Sequence, residues 1–128
     1  MGLLPGLFAV AAGAVLGAWA RWGLGIALNT IVPNLPVGTL TANLVGGYII
    51  GVSVEFFLQH ASVPAEWRLF VITGFLGSLT TFSTFSAEAV ELLSLQRYGW
   101  AMLHIGAHLA GSLVMTVLGL YTVRWLSA

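Results

Sequence analysis

Residues 74–86 read GFLGSLTTFSTFS. Six hydroxyls, two glycines and three phenylalanines fill these thirteen positions, inside a stretch otherwise apolar enough to cross a membrane. In hydrocarbon each unpaired polar group costs several kcal/mol, so hydroxyls at this density must face protein or water. The stretch therefore reads as a membrane-embedded segment that lines something. Gly74 and Gly77, followed by Ser78, Thr80 and Thr81, are where a helix is most cheaply interrupted.

The residues around this stretch carry the same message. The chain has 128 residues, of which 59% are hydrophobic and 6% charged, and its mean hydropathy is +0.99. A soluble domain carries about a quarter charged residues. The sequence is that of an integral membrane protein, in one domain spanning 1–128. With zero net charge, no Lys and four scattered Arg, nucleic acid is excluded as a partner. No Cys is present, which removes thiol chemistry, disulfides and Cys-based metal sites.

Four apolar stretches match the ~20 residues needed to span a bilayer: about 3–28, 38–58, 68–95 and 99–125. Pro33 and Pro36 mark the first loop, and QHASVPAEW the second. AVLGAWA imitates a signal-peptide cleavage site, but no basic region precedes it, so the first stretch reads as a retained helix. The third span, as a straight helix, would run ~42 Å, longer than the hydrocarbon core. A break in it is expected.

Four spans put both termini and the 59–67 loop on one face. Arg68 and Arg124 lie there, and Arg21 and Arg97 lie opposite. Topology follows the Arg/Lys bias between the two sides, and here the count is even. Insertion in both orientations, and hence an antiparallel homodimer, is the expectation. The five tryptophans fall near the span ends, as interfacial anchors do.

Polar and small residues recur every four positions: Ala9, Gly13, Gly17 and Arg21; Thr39, Asn43, Gly47 and Gly51; His104, His108, Ser112 and Thr116. Such residues share a helix face. GAVLG and GYIIG are GxxxG patterns, read as close helix packing. Asn43 reads either as interhelical glue or as an amide donor along an anion path. His104 and His108 read as hydrogen-bonding neighbours, since HExxH is absent and the sequence offers no evident third metal ligand. Phe82 and Phe85 stack one turn apart, with Thr80, Ser83 and Thr84 on an adjoining face. Their ring edges are positive, so edges, hydroxyls and an amide together suit a small anion. The alternative is that the rings face lipid and the hydroxyls bond back to their own helix.

TTFSTF at 80–85, GTLTANLVGGYIIG at 38–51 and GAVLGAWARW at 13–22 resemble, in that order, the third-, second- and first-helix motifs of the Fluc (CrcB-type) fluoride channels. The family often has Gly where Ser78 and Ala14 stand, and Tyr at Trp22. The resemblance implies an all-α, multi-pass inner (plasma) membrane protein, not an enzyme, forming an antiparallel dual-topology homodimer with two fluoride pores. It implies a structural, untransported Na⁺ at the dimer centre, held by the backbone carbonyls of Gly77 and Thr80. The implied fluoride pathway comprises Asn43, Phe82, Phe85, Ser112 and Thr116, with Thr39, Ser83 and Thr84 as weaker members. Arg21 maps to a positive vestibule, and Glu88 and His108 are further candidates. A small multidrug transporter, the main competitor, carries an acid in its first span, and no acid precedes Glu55 here.

Overall fold

The computed structural model describes residues 2–128, and it is all-helical. Helix α1 is Leu3–Leu28 and α2 is Val37–Gln59. The third span starts with α3 (65–79), in which Leu69–Leu76 is wound as a π-helix between the α-helical pieces Ala65–Arg68 and Gly77–Leu79. Helix α4 (Phe82–Ser94) completes that span, and α5 is Tyr98–Leu126. Four helical stretches, of 26, 23, 30 and 29 residues, are long and apolar enough to cross a membrane. Their bounds lie within three residues of those read from the sequence. Of the residues where an interruption looked cheapest, Gly74, Gly77 and Ser78 are helical. The extended residues are Thr80 and Thr81, with ψ of 154° and 121°.

Exposed Leu, Val, Ile and Trp side chains cover the outside, including all five tryptophans. In water this surface would be ruinous, whereas in lipid it costs nothing. The interior is held by backbone proximity. A Cβ on Gly51 would overlap the Thr116 carbonyl oxygen, and one on Gly119 would overlap that of Tyr48, so α2 and α5 lie almost backbone to backbone. Gly13 and Gly17 do the same for α1, against the carbonyls of Phe70 and Phe75 in α3. Both GxxxG patterns are thus used for close packing, which is how helices gain contact where lipid removes the hydrophobic drive.

The loops confirm which ends share a face. Asn34, at a positive φ of 68° in the first loop, accepts a hydrogen bond from Arg97 in the third. Gln96, at φ 58°, turns the chain out of α4, and Arg97 N–H reaches back to the Leu92 carbonyl at 2.9 Å. This is a left-handed helix end of the Schellman type. On the opposite face Arg124 pairs with Glu55 at 3.2 Å.

Candidate functional site

The site is built on the two extended residues between α3 and α4. Thr81 donates its N–H to Asn43 Oδ1 at 2.8 Å, and Asn43 Nδ2 returns a hydrogen bond to the Thr81 carbonyl at 3.0 Å. Thr81 Oγ1 accepts from Thr84 N–H at 3.1 Å and so caps the first turn of α4. One residue thereby ties the interruption both to α2 and to its own continuation. Asn43 Nδ2 also lies 2.9 Å from His108 Nδ1. A side-chain amide has two N–H hydrogens. Both of Asn43's are engaged, one on Thr81 and one on His108.

Around this junction lies an open cleft of about 500 Å³ between α2, α3, α4 and α5. Asn43, Gly77, Thr80, Phe82, Phe85, His108, Ser112 and Thr116 all line it. Eight residues singled out in the sequence, drawn from four helices and the extended junction, thus meet at one place. Thr80 and Thr116 spend their hydroxyl hydrogens on carbonyls of their own helices, Leu76 at 2.8 Å and Ser112 at 2.9 Å. Each oxygen then faces its surroundings as an acceptor unless the hydroxyl rotates.

The two phenylalanines differ sharply. Phe85 is 7% exposed, stacks on His104 with ring centroids 5.3 Å apart, and meets the tilted ring of His108 at 4.6 Å. Phe82 is 75% exposed, and it meets Phe85 edge-on at 5.5 Å. In a single chain Phe82 is therefore a wall with nothing on its outer side.

Other expected site residues lie away from the cleft. Thr39 is buried and donates to Glu88 Oε2 at 2.8 Å. Glu88 lines a second, smaller cavity of about 150 Å³ beneath the first loop, together with Asn29, Asn34, Glu91 and Arg97. Arg21 is half-buried and donates through Nε to the Ser78 carbonyl at 3.0 Å. It stands at the C-terminal end of α3, where carbonyls lack helical donors and a cation is favoured. Ser83 is exposed and reaches Thr81 Oγ1 at 3.3 Å. Thr84 takes part through its backbone.

Sequence reading did not single out the clamping role of Thr81 or the grouping around His104. Thr81 carried a usable signal, being a hydroxyl residue just ahead of a new helical run, the N-cap pattern. His104 carried less. It is completely buried, its Nε2 lies 3.6 Å from Glu88 Oε1, and that acid is sixteen positions away on another helix.

Residues 8–120 match the family model described as CrcB-like protein, Camphor Resistance (CrcB). The chain belongs to the CrcB family. A relative from Nitrosospira multiformis is 58% identical over 127 residues, covering 99% of this chain and 98% of its own. One from Ralstonia pickettii is 61% identical over 122 residues, covering 95% and 97%. A third, from Pseudomonas paraeruginosa, is 55% identical over 120 residues, covering 94% of both. All three are named fluoride-specific ion channel FluC. The family resemblance carried by the motifs of the first three spans is thereby established, and the relatives are ion channels, not enzymes.

Proposed function

We propose that this CrcB-family chain is a passive, fluoride-selective channel that exports cytoplasmic fluoride and so confers fluoride resistance. It works in the inner (plasma) membrane as an antiparallel, dual-topology homodimer with two pores. The observation that carries the reading is the cleft, where an amide, two phenylalanine rings and the hydroxyl residues of α5 share one open space at membrane depth.

The chemistry follows from those groups. Fluoride is small and strongly hydrated, so a pore must replace its water with donors of comparable strength in a narrow space that a larger halide cannot use. Ring edges of Phe82 and Phe85 present positive quadrupole. The Asn43 hydrogen now on His108 is the one an anion would compete for, because the other is bound to the backbone it supports. Ser112 and Thr116 continue the lining along α5. Hydrogen fluoride enters cells neutral and dissociates in the less acidic interior. The inside-negative potential then favours anion exit by ~2.3 kcal/mol per 100 mV, so no energy source is required.

The exposed face of Phe82 and the exposed Gly77 support a second copy as the missing wall. A structural Na⁺ belongs at that contact. Thr81 N–H has turned to Asn43, which removes the helical donor from the Gly77 carbonyl. Main-chain oxygens of Gly77 and Thr80 then suit a hard cation. Arg21 is the positive group nearest the interruption, and it supplies attraction for anions rather than a binding site.

Purified protein alone in liposomes should release fluoride on addition of an ionophore that clamps the voltage, while chloride stays inside. Chloride release at a comparable rate, or no fluoride release, rejects the reading. An Na⁺ gradient that drives fluoride uphill would make the protein a transporter instead.

A further inference from the structure

Among the described residues, four buried side-chain polar atoms lack hydrogen-bond partners: Glu55 Oε2, Glu88 Oε1, His104 Nδ1 and His108 Nε2. Glu55 Oε2 has Arg124 beside it at 3.2 Å. The other three belong to one cluster, in which one ligand-type atom from each of Glu88, His104 and His108 lies within 4.8 Å of the other two. Two histidines and a glutamate have the composition of a zinc site. The proton positions decide against it.

They can be assigned in sequence from the backbone. Thr81 N–H can only donate, so the Asn43 atom facing it is Oδ1 and the amide's orientation is fixed. Asn43 Nδ2 can only donate, so His108 Nδ1, 2.9 Å away, must carry the lone pair. A neutral imidazole has one N–H, which leaves His108 Nε2 protonated. That atom is therefore a donor and cannot ligate a metal. His104 Nε2 faces two acceptors, the Phe85 carbonyl at 3.4 Å and Glu88 Oε1 at 3.6 Å, so it too carries the proton and leaves Nδ1 bare.

We infer that this cluster binds a single buried water molecule, and that the water joins the cleft to the cavity under the first loop. A water offers two donors and two acceptors, and buried waters make about three hydrogen bonds. Here it accepts from His108 Nε2–H and donates to Glu88 Oε1, and either nitrogen of His104 serves as a third partner. The spacing fits. His104 Nε2 and Glu88 Oε1 are 3.6 Å apart, and the three groups lie within 4.8 Å of one another, so one molecule reaches all of them at hydrogen-bond distance; the tautomers, not the spacing, exclude zinc. Fluoride, an acceptor only, would be held off by the carboxylate.

The water completes a directed line. Asn43 donates to His108, His108 to the water, the water to Glu88, and Thr39 donates to Glu88 from the far side. His108 lines the cleft and Glu88 lines the outer cavity, so the line crosses the partition between them. His108 is thus a positioning residue, which holds the second Asn43 hydrogen through Nδ1 and is itself held by the water. The inference rests on hydrogen-bond geometry and stands whatever ion the cleft conducts.

The test uses the full-length protein in lipid with ¹⁵N-labelled histidine. Solid-state spectra should show His108 with a protonated Nε2 and a bare Nδ1, and a cross-peak from that N–H to a water that outlasts exchange of bulk solvent. Dialysis against Zn²⁺ should leave no more metal on the wild-type chain than on His108→Gln, with His60→Gln as a control outside the cluster. A bare Nε2 on His108, or no water contact from its N–H, overturns the inference. Stoichiometric zinc that disappears in His108→Gln also overturns it, and makes the cluster a metal site. The spectra need no variant, so poor folding of His108→Gln does not shield the inference.

Discussion

The two cleft phenylalanines allow one substitution to be made in two very different settings. Phe→Ile keeps bulk and hydropathy and removes the ring quadrupole. Such swaps by themselves cost less than ~1.5 kcal/mol, and each aromatic pair lost adds ~0.5–1.5 kcal/mol. Phe82 is 75% exposed and has one aromatic partner, Phe85. Phe82→Ile should therefore lower stability by about 1 kcal/mol, close to a surface change. Phe85 is 7% exposed and has three ring partners, Phe82, His104 and His108. Phe85→Ile should cost roughly 2–5 kcal/mol by the same accounting. Flux should obey a different rule. A desolvated cation over a ring face gains ~2 kcal/mol. The same magnitude taken for an anion at the ring edge sets the scale, each 1.4 kcal/mol of barrier being tenfold in rate. Each variant should therefore slow fluoride efflux by about 30-fold, with no greater loss for Phe85→Ile once efflux is normalised to folded protein. Denaturation in detergent and fluoride-electrode efflux from liposomes read the two quantities separately. Wild-type efflux from Phe82→Ile, with its small stability cost, would refute a role for the ring edge and leave Phe82 as filler.

Asn43→Asp replaces a donor with an acceptor 3.0 Å from the Thr81 carbonyl and 2.9 Å from His108 Nδ1; efflux should fall below detection and thermal stability should drop by the ~2–3 kcal/mol of an unsatisfied buried pair. Gly51→Val drives a side chain into the Thr116 carbonyl and should cost more than ~3 kcal/mol or abolish folding, whereas Gly23→Ala, with open space around it, should gain ~0.5–1 kcal/mol from helix propensity, both read by thermal denaturation. Two Lys added beside Trp125 should lock the termini in the cytoplasm and two beside Gln96 should lock the reverse; each locked form should be silent alone in an efflux assay and active when the two are co-expressed.

Legibility in the sequence tracked the range of the interaction. The four spans were readable because hydropathy is a property of each residue, and the glycine stripes because helix periodicity is local. The stretch that holds the interruption was readable too, but not which of its residues would be extended. Gly74 and Gly77 are the residues with the freest backbones, yet Gly74 faces Gly13 across a helix contact and both remain helical. What sets the extended pair at Thr80 and Thr81 is Asn43, thirty-eight positions away, accepting and donating on the Thr81 backbone. A bond of that span leaves no mark on local propensity. The His104–Glu88 grouping was hidden for the same reason, whereas the motif TTFSTF exposed Phe82 and Phe85 without revealing that one is buried and the other bare.

The interruption at Thr80 and Thr81 also divides one long helical dipole into two that meet inside the membrane. An unbroken span would present its positive pole at one aqueous face and its negative pole at the other. Here the negative pole of α3, with the Ser78 carbonyl held by Arg21, and the positive pole of α4, with Thr84 N–H held by Thr81, flank the extended pair. Two residues of extended chain thus carry both electrical signs to membrane depth without burying a net charge. In the proposed channel, the negative pole would serve the resting Na⁺ and the positive pole the passing fluoride.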